Sequence, residues 1–162
     1  EKRFGTPYAV GIPMGTAFSE HLAGRLREAA AQHRSLTGYM DVSASGGIWI
    51  AAAGESVYQA SLAAAAAMEQ GISIRVLCPL DTDESLIRPG DMITPEEDDI
   101  MEAVRQNGCA GFIADPMYRP LCPDDVEFYE LPHEAFSGRI YDSVNPNLIN
   151  RPLAESFNDF RK

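Results

Sequence analysis

The chain has 162 residues, of which 45% are hydrophobic and 23% are charged, and these values fit one globular domain of ordinary size. Its formal net charge of −11 opposes contact with a phosphate backbone. No apolar run approaches the roughly 20 residues that a membrane-spanning helix needs, so we expect neither a membrane nor a nucleic acid among its partners.

The chain begins with one predicted strand and one predicted helix. Residues 8–12 form a short apolar stretch that is typical of a strand. Apolar residues then recur at helical spacing over residues 18–30, which predicts an amphipathic helix. Residues 34–47 show no clear period and are predicted to be a loop or linker. Residues 1–45 therefore form a strand-helix lead-in to the main fold.

Strands and helices alternate regularly over residues 46–141. Continuous apolar runs predict buried parallel strands, and the segments between them predict helices. The strands are expected at residues 48–53, 72–77, 110–114 and 126–131, and the helices at residues 57–70 and 94–107. This alternation indicates an α/β fold of the doubly wound, Rossmann-like kind, whose mostly parallel sheet carries helices on both faces.

Local signals refine these boundaries. Gly71 is placed as the stop of the first of these two helices, and Thr94 is expected to cap the second, because proline and glutamate follow it. Residues 79–92 are predicted to be a polar connection. The final segment, residues 142–162, is predicted to be a tail with a terminal helix near residues 153–160.

The number and spacing of the cysteines indicate the cellular compartment of the protein. Cys78, Cys109 and Cys122 are odd in number and lack CxxC spacing, so we expect neither a disulfide framework nor a self-contained metal site. This usage fits a reducing environment, and we predict a cytoplasmic protein. Cys78 and Cys109 are expected to be buried and Cys122 alone to be accessible. Because Glu1 is not methionine and no signal peptide follows, we predict a single-domain fragment of a longer chain.

We expect a functional site just beyond the carboxyl ends of the strands, where open α/β sheets bind ligands. One candidate turn, Gly54 to Ser56, offers backbone N–H groups and a helix N-terminus that could hold an anion. Glu55 would repel that anion, and a turn capped by Ser56 explains the same residues. Asp115 follows another strand and is expected at the same edge.

His133 follows the last predicted strand directly. A neutral imidazole can bind a transition metal or act as acid or base near pH 7, although a lone loop histidine also serves simply as a hydrogen-bonding residue. The acidic stretches 81–84 and 96–99 match no calcium loop and are explained by helix polarity and solvation. The candidate site has His133 as its catalytic and metal-binding residue, and its cofactor-binding residues are Gly54, Glu55, Ser56, Asp115, His133, Ser137, Gly138 and Arg139.

Several short segments carry a family resemblance. The first two segments are Lys2-Arg3-Phe4-Gly5-Thr6-Pro7-Tyr8 and Pro13-Met14-Gly15-Thr16. They are followed by the Gly54 turn and by the helix that ends at Gly71. The last segment is Leu131-Pro132-His133-Glu134-Ala135-Phe136-Ser137-Gly138-Arg139. In their order, across nearly the whole chain, these segments resemble the C-terminal portion of nitrogenase component 1 type oxidoreductases. That family includes the molybdenum-iron protein chains, the scaffolds that assemble their cofactor, and relatives of dark-operative protochlorophyllide reductase.

The resemblance implies an oxidoreductase subunit that helps to hold a metal-sulfur or tetrapyrrole-type ligand for electron transfer. It also implies two partners, a sister component 1 subunit and an ATP-dependent reductase component. In the molybdenum-iron alpha chains, a histidine followed closely by an aromatic-Ser-Gly segment ligates the metal-sulfur cofactor, and His133 with Phe136-Ser137-Gly138 is similar to that site. The alternatives are a non-catalytic cofactor-binding or assembly scaffold and, disfavoured by the lack of phosphate motifs, a free-standing nucleotide-binding enzyme.

Two departures limit what the resemblance implies. The molybdenum-iron chains place an arginine-bearing glycine-rich turn against the cofactor, where this sequence has Gly54-Glu55-Ser56-Val57. An acidic residue beside an anionic cluster would be repelled unless it were protonated or turned away, which argues against dinitrogen reduction. The family's cluster cysteines lie upstream of the matching region. The iron-sulfur or mixed metal-sulfur cluster is therefore expected in the full-length protein and not in these residues alone.

Overall fold

The computed structural model describes residues 5–44, 47–106, 108–133, 136–137, 140 and 146–157. In chain order, the strands are β1 (Ala9–Val10), β2 (Leu36–Thr37), β3 (Trp49–Ala53), β4 (Ile74–Cys78), β5 (Met92–Ile93), β6 (Cys109–Ala114) and β7 (Glu127–Glu130). The α-helices are α1 (Ala17–Gln32), α2 (Ser56–Gln70) and α3 (Glu97–Val104). Five of these strands form one all-parallel sheet in the order β5-β4-β3-β6-β7. The predicted doubly wound α/β fold is confirmed.

Strand β3 separates two layers of apolar packing. Successive side chains of a strand point to opposite faces of its sheet. Ile50 and Ala52 accordingly pack in the core that contains residues of α1 and α2, whereas Ala51 and Ala53 pack in the core beneath α3. All five residues of β3 are buried, which explains why its sequence reads as a continuous apolar run.

Helix α2 lies close against the sheet because its inner face is built from small side chains. The run from Ala63 to Ala66 is at most 1% exposed. Gly71 ends the helix in the left-handed conformation at φ 67°, as predicted. Among the described residues, no helix combines the length and the hydropathy that crossing a bilayer requires.

The short strands differ from the prediction. β1 pairs with β2 in a separate two-stranded parallel sheet, although residues 34–47 were expected to be a loop. β5 lies at the end of the predicted polar connection and extends the main sheet at its outer edge. The sequence indicated β1 through its apolar stretch but neither β2 nor β5, because a strand of two residues has too few side chains to show an alternating pattern.

A buried ion pair organises the connection between β4 and β5. The Arg88 guanidinium contacts the Asp91 carboxylate at 2.8 Å and also donates to the carbonyl of Ile74 at 2.9 Å. Asp91 in turn accepts the backbone N–H of Val76 at 2.8 Å. Each buried charge therefore has a partner, as burial requires. This segment is a fixed part of the sheet edge and not merely a polar loop.

Helix α3 begins later than its sequence signal predicts. The expected cap, Thr94, stays extended because its backbone N–H donates to the carbonyl of Cys78 at 2.8 Å and continues the bonding between β4 and β5. The helix instead starts at Glu97, with Glu96 as its N-cap residue. The Asp99 carboxylate accepts the backbone N–H of Glu96 at 3.3 Å. The cap prediction at Thr94 is wrong.

The described part of the tail packs into the core and is helical over only three residues of the predicted terminal helix. Within its described part, residues 146–157, it forms a 3-10 helix at Leu153–Glu155, while residues 158–160 of the predicted helix lie outside the described chain. The side chains of Leu148, Leu153 and Phe157 are buried in the core beneath α2. The backbone N–H of Gly15 donates to the Leu148 carbonyl at 3.0 Å, so the tail is joined to the N-terminal segment.

Glu69, near the end of α2, joins this helix to two distant segments. One carboxylate oxygen accepts the backbone N–H groups of Thr16 and Ala17, at the start of α1, and also the Thr16 hydroxyl. The other oxygen accepts the N–H of Leu153 at 2.9 Å. Gly15 adopts φ +63°, and a Cβ there would collide with this carboxylate. The Pro-Met-Gly-Thr segment thus needs a glycine where it meets Glu69.

We expect Glu69→Gln to lower the free energy of unfolding by about 2 kcal/mol, because the amide presents a donor to groups that are themselves donors. Chemical denaturation measures this change. Glu20→Gln is the control, since Glu20 is exposed in the first turn of α1, and it should cost no more than about 0.5 kcal/mol. Equal costs for the two variants would show that the Glu69 contacts do not stabilise the fold.

Candidate functional site

The order of the strands locates a crevice between β3 and β6. The chain runs from β3 outward through β4 to β5 and then returns to the other side of β3 as β6 and β7. Ligands of open α/β sheets bind where the strand order reverses, beyond the carboxyl ends of the two strands concerned. Gly54 follows β3 and Asp115 follows β6, so two of the predicted turns flank this reversal.

Asp115 anchors the loop that carries His133. Its side chain is 2% exposed. One carboxylate oxygen accepts the backbone N–H of Met117 at 3.0 Å and begins the 3-10 helix at Pro116–Leu121. The other accepts the backbone N–H of His133 at 2.8 Å and also the hydroxyl of Ser137. Three of the predicted site residues, Asp115, His133 and Ser137, are therefore brought together.

The backbone of His133 is fixed on both sides. Its N–H is held by Asp115, and its carbonyl accepts the N–H groups of Phe136 and Ser137 at 2.9 and 3.0 Å. The imidazole lies among aromatic rings, with its centroid 5.3 Å from that of Phe136 and 6.4 Å from that of Tyr58. This packing orients a half-buried ring beside the first turn of α2.

A cavity of about 350 Å³ opens beside His133. This volume lies at the lower end of the range for small-molecule sites. Its walls come from α2, the N-terminal segment, the loop after β7 and the tail, and they include Met14, Tyr58, His133, Asn147, Leu148 and Ile149. Sequence reasoning missed Tyr58 and the tail residues. Tyr58 follows the Gly54 turn by four positions, and this spacing is the signal that could have identified it.

The Gly54 turn is arranged differently from either sequence interpretation. The N-cap of α2 is Glu55 and not Ser56: its carboxylate accepts the backbone N–H groups of Val57 and Tyr58 at 3.0 and 2.7 Å. The N-terminal N–H groups of α2 that could have held an anion therefore bind a side chain of the same turn. Ser56 instead shares a hydrogen bond of 2.8 Å with the Thr82 hydroxyl, in the loop after β4.

The three thiols lie away from the His133 loop, in the β4–β5 region and beneath α3. Cys78 is fully buried, while Cys109 and Cys122 are both partly buried, so the expectation that Cys122 alone is accessible is wrong. Burial raises the pKa of each thiol above its usual value. They are therefore protonated at neutral pH, which fits the small-hydrophobe interpretation of Cys78 and Cys109.

Two predicted site residues, Gly138 and Arg139, lie outside the described residues, as do Glu134 and Ala135 of the resemblance segment. No protein-family model matches the chain, and no curated protein or solved structure matches it at the level of significance that we required. The resemblance to nitrogenase component 1 type proteins therefore stays a prediction.

How well the site suits the implied metal-sulfur cofactor depends on the side chains that could bind a metal. Within the described residues, no three histidine, cysteine, aspartate or glutamate side chains are grouped closely enough to hold a metal ion. His133 offers one imidazole at the cavity wall, and imidazole is a ligand that iron accepts. His133 could therefore supply one ligand to such a group, which would need its remaining ligands from outside the described residues.

We expect Asp115→Asn to lower the free energy of unfolding by about 2 kcal/mol, because an amide has one acceptor oxygen and cannot serve both the Met117 N–H on one side and the His133 N–H and Ser137 hydroxyl on the other. The NMR signals of the His133 ring should shift as the loop loosens. Asp83→Asn is the matched control: Asp83 caps an exposed 3-10 helix through the N–H of Ser85, and its loss should cost about 1 kcal/mol or less. An unchanged His133 signal would contradict the anchoring role.

Proposed function

We propose that this chain is the C-terminal domain of a cytoplasmic, nitrogenase-like oxidoreductase subunit of the component 1 type. It forms one wall of a site for a metal-sulfur or tetrapyrrole-type ligand. A sister component 1 subunit completes the site, and an ATP-dependent reductase component delivers the electrons. The bound group, whichever of the two it is, supplies the redox chemistry.

The observation that supports this proposal most strongly is the anchoring of His133 by Asp115. The Asp115 contact fixes the backbone of His133 and with it the region that the imidazole can reach. Here the 2%-exposed Asp115 binds the His133 N–H at the reversal of strand order, where the fold places ligands. The Phe136-Ser137 part of the resemblance segment belongs to the same turn, because both N–H groups bind the His133 carbonyl.

Each residue of the site then has a separate task. His133 binds the ligand or donates a proton to it, and the packed rings of Tyr58 and Phe136 limit the rotation of its imidazole. Asp115 and Ser137 hold the loop and are positioning residues. The cavity is open here, and closing it against the sister subunit would exclude water and so strengthen every electrostatic contact with the bound group.

Glu55 favours a second candidate, the non-catalytic cofactor-binding or assembly scaffold. The turn that bears an arginine in the molybdenum-iron chains bears Glu55 here, and the Glu55 carboxylate is bound to the N–H groups of its own helix. It is thus turned onto α2, and the turn offers no positive charge to an anionic cluster. A scaffold would bind the group without passing electrons to a substrate.

We expect His133→Ala to reduce the bound iron or to shift the electronic absorption bands of the complete natural protein, purified without oxygen together with its sister subunit. His33→Asn is the matched control, because His33 is exposed at the end of α1 in the left-handed conformation that asparagine tolerates. The control should keep the metal content and spectrum of the natural protein.

Two outcomes would contradict the proposal: a natural protein with no bound metal or tetrapyrrole, or a His133→Ala protein whose metal content and spectrum are unchanged. A reductase assay then separates the two candidates. An oxidoreductase consumes electrons from the reductase component through repeated turnover, whereas a scaffold retains the bound group and consumes none.

A further inference from the structure

A second cavity, of about 320 Å³, opens between the last turns of α2 and the connection from β4 to β5. Its walls come from α2, from the loop after β2 and from the residues that lead into β4 and β5, so it lies at the amino ends of these strands. The His133 loop follows β7 at the carboxyl ends, beside the first turn of α2. The two cavities are therefore separate.

Arg88 brings hydrogen-bond donors without a partner to this cavity. The residue is only 8% exposed. Its Nε and Nη2 atoms donate to the Asp91 carboxylate at 2.8 and 2.9 Å, and Nη2 also donates to the Ile74 carbonyl at 2.9 Å. Nη1 forms no hydrogen bond within the described ranges, and it is accessible to solvent. Because Ile74 and Asp91 both line the cavity, the guanidinium that they hold lies at the cavity wall.

The rest of the lining combines hydroxyl groups with an apolar surface. The hydroxyls of Ser43 and Ser73 have no hydrogen-bond partner in the part of the chain that the structure describes. The apolar side chains of the lining are those of Met40, Val42, Ala63, Ala67 and Ile72. The cavity thus presents polar donors next to a surface that suits a short hydrocarbon chain.

We propose that this cavity binds a small organic acid, with its carboxylate on Arg88 and its hydrocarbon chain on the apolar lining. The N–H groups of Nη1 and the hydroxyls of Ser43 and Ser73 donate to the carboxylate oxygens. Charge-assisted hydrogen bonds of this kind are among the stronger ones in proteins. Asp91 and the Ile74 carbonyl already hold the guanidinium in place, so binding orders no free side chain at this position.

The groups around the cavity favour an anion over a cation. The Asp91 carboxylate accepts four hydrogen bonds, from the backbone of Val76 and from the backbone and guanidinium of Arg88, so it offers no free acceptor to a cation. Arg75, on the neighbouring strand β4, adds positive charge from over the Trp49 ring. The net charge of −11 opposes anions at long range, so the affinity must come from these short contacts.

The size of the cavity sets the size of the acid. A volume of about 320 Å³ lies at the lower end of the range for small-molecule sites, and it exceeds what a bare inorganic anion needs. The carboxylate has two possible sources, a free acid and the C-terminus of a peptide. Both would place a carboxylate on Arg88 and a short apolar group on the lining.

Calorimetry on the complete natural protein tests this inference with two pairs of probes. The free acid is represented by 4-methylpentanoate and the peptide C-terminus by N-acetyl-alanyl-leucine, and each is compared with its neutral amide. We expect at least one acid to bind, and its amide to bind about tenfold more weakly because it carries no charge. The acid that binds more tightly identifies the source of the carboxylate.

Two variants act on different parts of the site. Ala67→Leu fills the cavity from α2 and should weaken binding about tenfold, and it keeps the helix because leucine is a good helix former. The matched control is Met68→Leu, since Met68 is 41% exposed on the same helix and does not line the cavity. Arg88→Lys keeps a positive charge beside Asp91 but removes the Nη1 donors, and it should also weaken binding about tenfold.

The melting temperature of each variant separates binding from folding. If Arg88→Lys does not fold, Ala67→Leu decides, because it leaves the Arg88–Asp91 pair intact. The inference is overturned if neither acid binds, if each amide binds as tightly as its acid, or if a folded Ala67→Leu or Arg88→Lys protein keeps the natural affinity. Equal loss of affinity in Met68→Leu also overturns it. Because the cavity is separate from His133, His133→Ala should bind the acid unchanged even if the proposed function fails.

Discussion

The carboxylate of Glu69 is the constraint on which the arrangement of this molecule depends. It accepts N–H groups from the start of α1 and from the tail, and it lies on the helix that covers one face of the sheet. A single charged acceptor therefore positions the N-terminal segment and the tail relative to α2. Those same two segments supply Met14 and Leu148 to the cavity beside His133, so the shape of the site follows from this contact.

Asp115 holds the backbone of His133, which forms another part of the wall of that cavity. Both carboxylates accept several donors of the protein itself, and Asp115 is in addition buried. These two acidic groups thus position neighbouring segments of the chain, and the imidazole of His133 lies at the cavity wall. An imidazole in this position can bind a ligand or exchange a proton with it.

The sheet was predictable where burial is complete. β3 and the last four residues of β6 are covered on both faces, so their apolar runs are continuous. The alanines of α2 indicate close packing. The edge that carries Asp115 and His133 followed from the parallel connections alone. Three features were not predictable, because each depends on residues that are distant in the sequence or on the folded turn. They are the hydrogen bond between Asp115 and His133, the cap formed by Glu55 and the extended conformation of Thr94. Local sequence patterns indicate the periodicity of an element and its possible caps. They do not indicate which acceptor will bind an N–H group that is distant in the sequence.

The separation in sequence between Glu69 and Leu153 has a consequence for the order of assembly. The two residues are 84 positions apart, and closing so long a loop is entropically costly before other structure forms. We therefore expect the parallel sheet to assemble first and the tail to dock last. During synthesis, the His133 edge emerges from the ribosome before the tail that covers it. Any group that binds in the cavity beside His133 would meet a more open site before the tail docks than after it.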